Sequence, residues 1–322
     1  MQRVVCRAFG DVEDLEVVEE AAPAPGPGEV LVEVDAAGVS FVDGLIVRGL
    51  YQVRPPLPFT PGSTVGGRVV ALGEGVSAPA VGTAVAGLAT AFGGFTSHSV
   101  LPASTAVPLP DGVSAETAVT AIESYSTLVF AVTHRVAIGE GEWVVVLGAG
   151  GGIGLAAVDV VRSLGGRVVA VASSEDKRQA ALAAGAETAI DYTDLKDGIR
   201  AATDGGADVV IDPVGGPAAE SALRALGTGG RFCVLGFASG EIPRLPANIV
   251  LLRNRSVVGV DWGDWARTDG DAATELVADV LGRIARGELH PPRPQVFRLV
   301  EAGKALRLFA DRAVTGKIAL AP

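Results

Sequence analysis

Residues Trp143 to Gly154 read WVVVLGAGGGIG. Trp143 to Leu147 are apolar without interruption, with three valines in a row. A continuous apolar run of this length predicts a strand buried on both faces, as in a parallel sheet. A glycine-rich turn follows, then LAAVDVVRSLG (155–165) with apolar residues at helical spacing. Strand, glycine turn and helix in succession predict a dinucleotide-binding unit. Free backbone N–H groups at a helix N-terminus, with the positive end of its dipole, hold a pyrophosphate. Residues without a Cβ let the phosphates approach the main chain.

The spelling departs from the strict G-x-G-x-x-G. Ala149 stands at the first glycine position, while Gly151 and Gly154 keep the other two. About twenty residues past the turn, the next strand ends as AVASSEDKR (170–178). An NAD site wants Asp or Glu at that strand end for the ribose hydroxyls. Ser173 and Ser174 occupy it, with Lys177 and Arg178 one turn on. Small hydroxyls and a cation suit a 2′-phosphate, which favours NADPH over NADH. Glu175 and Asp176 read as first-turn helix residues that complement the dipole. The plainer reading makes Ser173 an N-cap and Lys177 a solvated charge.

Downstream, strands and helices alternate. Strands are expected at 143–147, 167–172, 188–191, 207–212, 230–236 and 255–260. Helices are expected near 152–164, 175–184, 194–203, 217–226 and 246–253. This alternation predicts right-handed βαβ units in a doubly wound parallel sheet of six strands, a Rossmann domain over 123–264. Upstream, residues 1–122 are mostly β: VLVEV (30–34), GRVVALG (67–73), TAVAGL (83–88) and FTSHSVL (95–101) alternate with Gly and Pro. They predict a small barrel-like β domain. Residues 115–135 read as a helix broken or kinked around Ser124 and Ser126. After 264 come a long amphipathic helix (270–287), a strand, a short helix and a final strand. These few elements cannot bury their own apolar faces, so 265–322 is expected to complete the β domain.

The 322-residue chain is 48% hydrophobic with formal net charge −11, which argues against a general nucleic-acid role. The N-terminus MQRVVCRAFGDVEDLEV alternates like a strand and lacks a signal peptide's apolar segment, and no apolar run reaches a membrane-spanning length. A cytoplasmic protein is expected. Cys6 and Cys233 read as buried free thiols. Two cysteines and the scattered His98, His134 and His290 offer no structural zinc site.

Taken together, the motifs resemble the zinc-independent quinone oxidoreductases of the medium-chain dehydrogenase/reductase superfamily. The resemblance rests on AAGVSFVDGLIVRGLYQ (36–52), LPFTPGSTVGG (57–67), the AGGGIG turn, ASSEDKR, AGAETAIDY (184–192), DVVIDPVGG (208–216), GRFCVLGFASG (230–240), SVVGVDWGDW (256–265) and TGKIAL (315–320). It implies an α/β architecture, a GroES-like β domain from both chain ends enclosing the Rossmann domain. Zinc-dependent relatives carry Cys where this chain has Ser40, and His-Glu where it has Ser63-Thr64. Many zinc-free relatives have Asn and Glu at positions 40 and 64, so substrate preference is not carried over directly.

The resemblance implies metal-free hydride transfer from NADPH to a quinone or activated enone. It suggests cofactor contacts at Ser40, Thr127, Gly151, Gly152, Ile153, Ser173, Lys177, Tyr192, Gly236, Phe237 and Lys317. Tyr51 and Ser40 are the candidate catalytic donors to the developing oxyanion; Tyr51 equally suits a packing role. Asp43 reads as a structural hydrogen-bonding residue. An enoyl-CoA or enoyl-thioester reductase and a non-catalytic NADPH-binding protein remain the alternatives. The sixth Rossmann strand, RSVVGVDW (255–262), is expected at the sheet edge and to pair two copies into a homodimer.

Overall fold

A computed structural model of the chain describes residues 1–89 and 92–322. They divide into two compact units. Met1–Glu123, Asp269–Arg286 and Arg293–Pro322 form the first; Ser124–Thr268 and Gly287–Pro292 form the second. The sequence had assigned all of 265–322 to the first. Residues 287–292 group with the second because the His290 backbone N–H donates to the buried Asp159 carboxylate at 2.5 Å.

In the first unit β1 (Gln2–Val5) and β2 (Glu16–Glu19) pair antiparallel. The organising strand is β3 (Glu29–Val39), followed by α1 (Phe41–Val47), β4 (Thr64–Leu72), β5 (Ala84–Leu88), β6 (His98–Pro102) and β7 (Val107–Pro108). Val30, Val32 and Val34 alternate with Glu33 and Asp35 and bury one face against Val65, Val69, Val85 and Leu101. The β3–β4 register shifts at Leu31/Val32 and Val34/Ala36. Such bulges bend a long strand, so β3 pairs β6 over its first half and another strand over its second.

The unit boundary falls within α2 (Ala115–Phe130). No break occurs at Ser124 or Ser126, contrary to the sequence expectation. The helix widens instead into a π-helical turn at Ala131–Arg135.

The second unit holds β8 (Trp143–Leu147), α3 (Gly152–Ser163), β9 (Arg167–Val171), α4 (Glu175–Ala183), β10 (Thr188–Ile190), α5 (Leu195–Ala202), β11 (Ala207–Asp212), α6 (Pro217–Ala225), β12 (Leu226–Val234), α7 (Ala247–Leu251) and β13 (Ser256–Gly259). The six strands are parallel, in the order β10-β9-β8-β11-β12-β13. This is the doubly wound order, with its switch point between β8 and β11. Val144 to Leu147 and Val168 to Val171 are fully buried, as a sheet covered on both faces requires. Strand β13 is at the edge, with Val257 exposed.

A short helix α8 (Trp262–Thr268) precedes α9 (Gly270–Ala285), whose Leu276, Val277, Val280 and Leu281 are buried. Strand β14 (Gln295–Arg298), α10 (Ala302–Ala310) and β15 (Ile318–Ala321) follow. Strand β15 pairs antiparallel with the second half of β3, so both ends of the chain build one sheet.

Candidate active site

The glycine turn leaves the carboxyl end of β8. Gly148 has φ +64°, a conformation that favours glycine. The tight-turn role is therefore Gly148's, one residue before the position read from the sequence, and Ala149 is buried in the core. Gly151 is the N-cap of α3. A Cβ on Gly154 would lie 2.3 Å from the Gly148 carbonyl oxygen, so this glycine lets helix and turn close on one another. The first-turn amides of α3, at Gly152 and Ile153, have no acceptor within the helix and offer an anion site.

At the end of β9 the chain departs from an NAD-type site. Ser174, not Ser173, caps α4: its hydroxyl accepts from the Lys177 N–H. Ser173 is left exposed at the strand end. Glu175 is engaged elsewhere, accepting from Arg178 at 2.8 Å and Gln179 at 2.6 Å. These bonds hold its carboxyl below the usual carboxylate range. A Cβ on Gly150 would lie 2.4 Å from the Lys177 Cβ. The lysine stem therefore lies directly on the glycine turn, bringing Ser173, Lys177 and the α3 amides to one edge of the sheet.

Two more loops meet this edge. Asp212 ends β11 fully buried, and its Oδ1 accepts from the Val214 and Gly215 N–H groups at 2.8 and 2.9 Å. Burial raises its carboxyl above the ordinary range. The turn it organises touches both neighbours. Val214 sits 2.8 Å from where a Gly148 Cβ would be, and Phe237 2.9 Å from where a Gly215 Cβ would be. Gly236 and Phe237 follow β12, and Phe237 is 39% exposed, outside the core. The Tyr192 phenol oxygen accepts from the Gly148 N–H at 3.0 Å, fixing the ring beneath the turn. Thr127 is half-buried on α2. Sequence reasoning missed Gly148 and Asp212. The positive φ has no spelling inside a glycine run, and a single Asp in a turn is common.

The remaining candidates lie in the first unit. Ser40 caps α1 through a capping box. Its hydroxyl accepts from the Asp43 N–H at 3.3 Å, and its own N–H donates to Asp43 Oδ2 at 2.8 Å. Both residues are buried. The β15–β3 register pairs Ile318 with Val39, which places Lys317 opposite Ser40. Lys317 is buried and donates to Glu123 at 3.1 Å. Burial first, then the Glu123 charge, pushes the Asp43 carboxyl up to about 7, against the bonds from Ser40 and the charge of Lys317. The sequence reading of Asp43 as a structural hydrogen-bonding residue holds, but burial also makes it titrate near neutrality. Thr64 donates to the Val119 carbonyl at 3.0 Å. Tyr51 is half-buried and packs against the core that contains Ile46 and Val47. Among the described residues, no three His, Cys, Asp or Glu side chains gather as a metal site would require.

Two family models match the chain: alcohol dehydrogenase GroES-like domain over residues 26–111, and zinc-binding dehydrogenase over 152–279. The rat protein "quinone oxidoreductase-like protein 2" is 37% identical over 308 residues, spanning 94% of this chain and 88% of the relative. A mycocerosic acid synthase-like polyketide synthase of Mycolicibacterium smegmatis is 34% identical over 99% of this chain, which spans 15% of that protein. The crystal structure of Escherichia coli quinone oxidoreductase complexed with NADPH superposes with a TM-score of 0.92 at 28% identity, covering both chains completely. With the glycine turn at the switch point of a 3-2-1-4-5-6 sheet and relatives matched nearly end to end, the chain belongs to the quinone oxidoreductase-like family of medium-chain dehydrogenase/reductase oxidoreductases.

Proposed function

We propose that this chain reduces a quinone or activated enone, with NADPH as hydride donor and no metal ion. The observation that carries this reading is the end of β9. Ser173 is exposed, the Lys177 stem lies on Gly150, and Glu175 is tied to Arg178 and Gln179. A carboxylate at that point would repel a 2′-phosphate, whereas a lysine beside the turn would attract it, and the nearby Glu175 is tied elsewhere. The E. coli relative of the same fold was crystallised with NADPH, which supports the same choice of cofactor.

The chain's own residues then have distinct tasks. The Gly152 and Ile153 amides would hold the pyrophosphate, with the turn at Gly151 giving it room. Thr127, Tyr192, Gly236, Phe237 and Lys317 would orient the remainder of the nucleotide. Two-electron reduction of a quinone by hydride leaves an oxyanion that takes up one proton. Ser40 Oγ–H and the Tyr51 phenol are the donors, and Asp43 returns the proton to Ser40. Ser40 and Thr64 stand where zinc-dependent relatives carry ligands. A quinone, which accepts hydride readily, therefore suits the site better than an unactivated carbonyl that needs Lewis-acid help.

A second reading is supported by the likeness to a polyketide synthase segment: an enoyl-thioester as acceptor. Stopped-flow NADPH oxidation with a quinone against crotonyl-CoA separates the two. Faster turnover with the quinone is expected. Preference for the thioester would shift the assignment, and NADPH binding without turnover on any acceptor would make the protein non-catalytic. The exposed edge strand β13 further supports a homodimer formed by antiparallel pairing of two such strands. Sedimentation at micromolar concentration is expected to give a dimer; a monomer there would exclude it.

A further inference from the structure

Beyond the reductase reading, the second unit carries a concentration of positive charge that the reaction does not use. Lys196 and Arg200 on α5, Arg224 at the end of α6, and Arg253 and Arg255 ahead of β13 line one hollow of about 240 Å³, together with Ile249 and Leu252. No carboxylate lines it, although the whole chain carries net charge −11. Arg224 and Lys196 have acidic partners facing solvent, Glu220 and Asp197. Arg200, Arg253 and Arg255 have none among the described residues.

Arg255 is buried and spends its donors on main-chain carbonyls of Gly227, Ile249, Arg224 and Leu226. Carbonyls satisfy its hydrogen bonds but leave its charge unbalanced. Burial, then Arg253, Arg200 and Arg224, push its guanidinium below the usual range. Arg200 Nε–H is buried without an acceptor. Arg253 sits at φ +74°, where a non-glycine residue is strained, and such strain clusters at functional sites. Arg200, Arg224, Arg253 and Arg255 precede the starts of β11, β12 and β13. Because the sheet is parallel, they lie at its amino edge, opposite the glycine turn.

We propose that Lys196, Arg200, Arg224, Arg253 and Arg255 form a second anion site on this chain, built for a phosphate group at the amino edge of the parallel sheet. Guanidinium forks match phosphate oxygens, and a dianion supplies the missing countercharge for Arg200, Arg253 and Arg255. A soluble phosphate ester and an anionic phospholipid headgroup carry the same chemistry. Leu251 and Leu252, 77% and 59% exposed beside the cations, make the lipid source worth a separate arm.

The test titrates inorganic pyrophosphate by calorimetry into the full-length protein holding saturating NADPH, which keeps the glycine turn occupied. In parallel, the protein is floated with phosphatidylglycerol and phosphatidylcholine vesicles. Wild type is compared with Arg253→Gly, Arg200→Gln and, as control for the glycine turn, Lys177→Ala. The expected result is binding of pyrophosphate or of the anionic vesicles that falls tenfold or more in the two arginine variants and persists in Lys177→Ala. The arm that responds names the source. Arg253→Gly, which removes a repelled charge and suits the left-handed backbone, is also expected to raise the melting temperature without ligand. That separates lost binding from lost folding. Binding of neither probe, or binding abolished only by Lys177→Ala, would overturn the site.

Discussion

Replacing Asp43 by Asn removes the ionisable group of the Ser40 capping box while keeping its shape. Asparagine Oδ1 can still accept from the Ser40 N–H, so the cap of α1 survives. The native carboxyl titrates at about 7, because burial and the Glu123 charge outweigh Lys317 and the bonds from Ser40; its ordinary value is 3.8. An acid with a raised native pKa binds its proton more tightly folded than unfolded. Its stabilising contribution is complete below pH 3.8 and is lost as pH rises through 7. At 1.36 kcal/mol per pKa unit, the full loss is about 4 kcal/mol, of which roughly 2–3 kcal/mol falls between pH 5 and pH 8. Urea denaturation of wild type and Asp43→Asn at those two pH values measures it. Other titrating groups are common to both proteins and largely cancel in the difference. Wild type is expected to lose roughly 2–3 kcal/mol more than the variant on going from pH 5 to pH 8. Parallel stability curves, within about 0.5 kcal/mol, would refute the reasoning that burial holds Asp43 protonated.

The same titration predicts the kinetics. Wild-type kcat for quinone reduction falls as pH rises through about 7, whereas Asp43→Asn is slower and flat across that range. A wild-type profile that is flat while the stability difference is present would separate Asp43 from proton supply. Ser40→Ala should cost about 1 kcal/mol of stability as a lost cap and lower kcat by a factor of at least ~100; an unchanged kcat would leave Tyr51 as the donor. Lys177→Ala should weaken NADPH binding by roughly 1.5–3 kcal/mol and leave NADH binding nearly unchanged. Equal losses for both nucleotides would remove Lys177 from the 2′-phosphate. Gly154→Ala drives a methyl group to 2.3 Å from the Gly148 carbonyl. It should destabilise the protein by roughly 1–3 kcal/mol and abolish nucleotide binding, both readable by urea denaturation with and without NADPH.

The parallel half of the fold was legible because its strands are buried on both faces and therefore spelled as unbroken valine-rich runs. Strands β8 and β11 match their expected limits, and α3 and α6 end one residue early. Strand β12 starts at Leu226 instead of 230. Gly227, Gly229 and Gly230 spell a turn, yet the chain stays in the sheet through a bulge, where the register with β11 jumps between Ala207 and Val209. The serines of α2 suggested a break because their hydroxyls compete for backbone groups. Packing kept the helix intact, and the irregularity appeared at Ala131. The placement of Lys177 beside the glycine turn could be read because it depends on distance along the chain from that turn. Asp43 reads only as a structural hydrogen-bonding residue, since its titration depends on burial and then on Glu123 and Lys317, far off in sequence. The basic hollow is illegible for the same reason: its five cations come from three segments spread over 196–255.

The most direct test of the central claim is steady-state NADPH–quinone turnover by protein dialysed against a strong chelator, with residual zinc quantified in the same sample. Full turnover at zinc far below the enzyme concentration is predicted, because Ser40 and Thr64 leave no ligand set and the chain's own donors supply the proton. Activity that disappears on stripping and returns with stoichiometric zinc would contradict it.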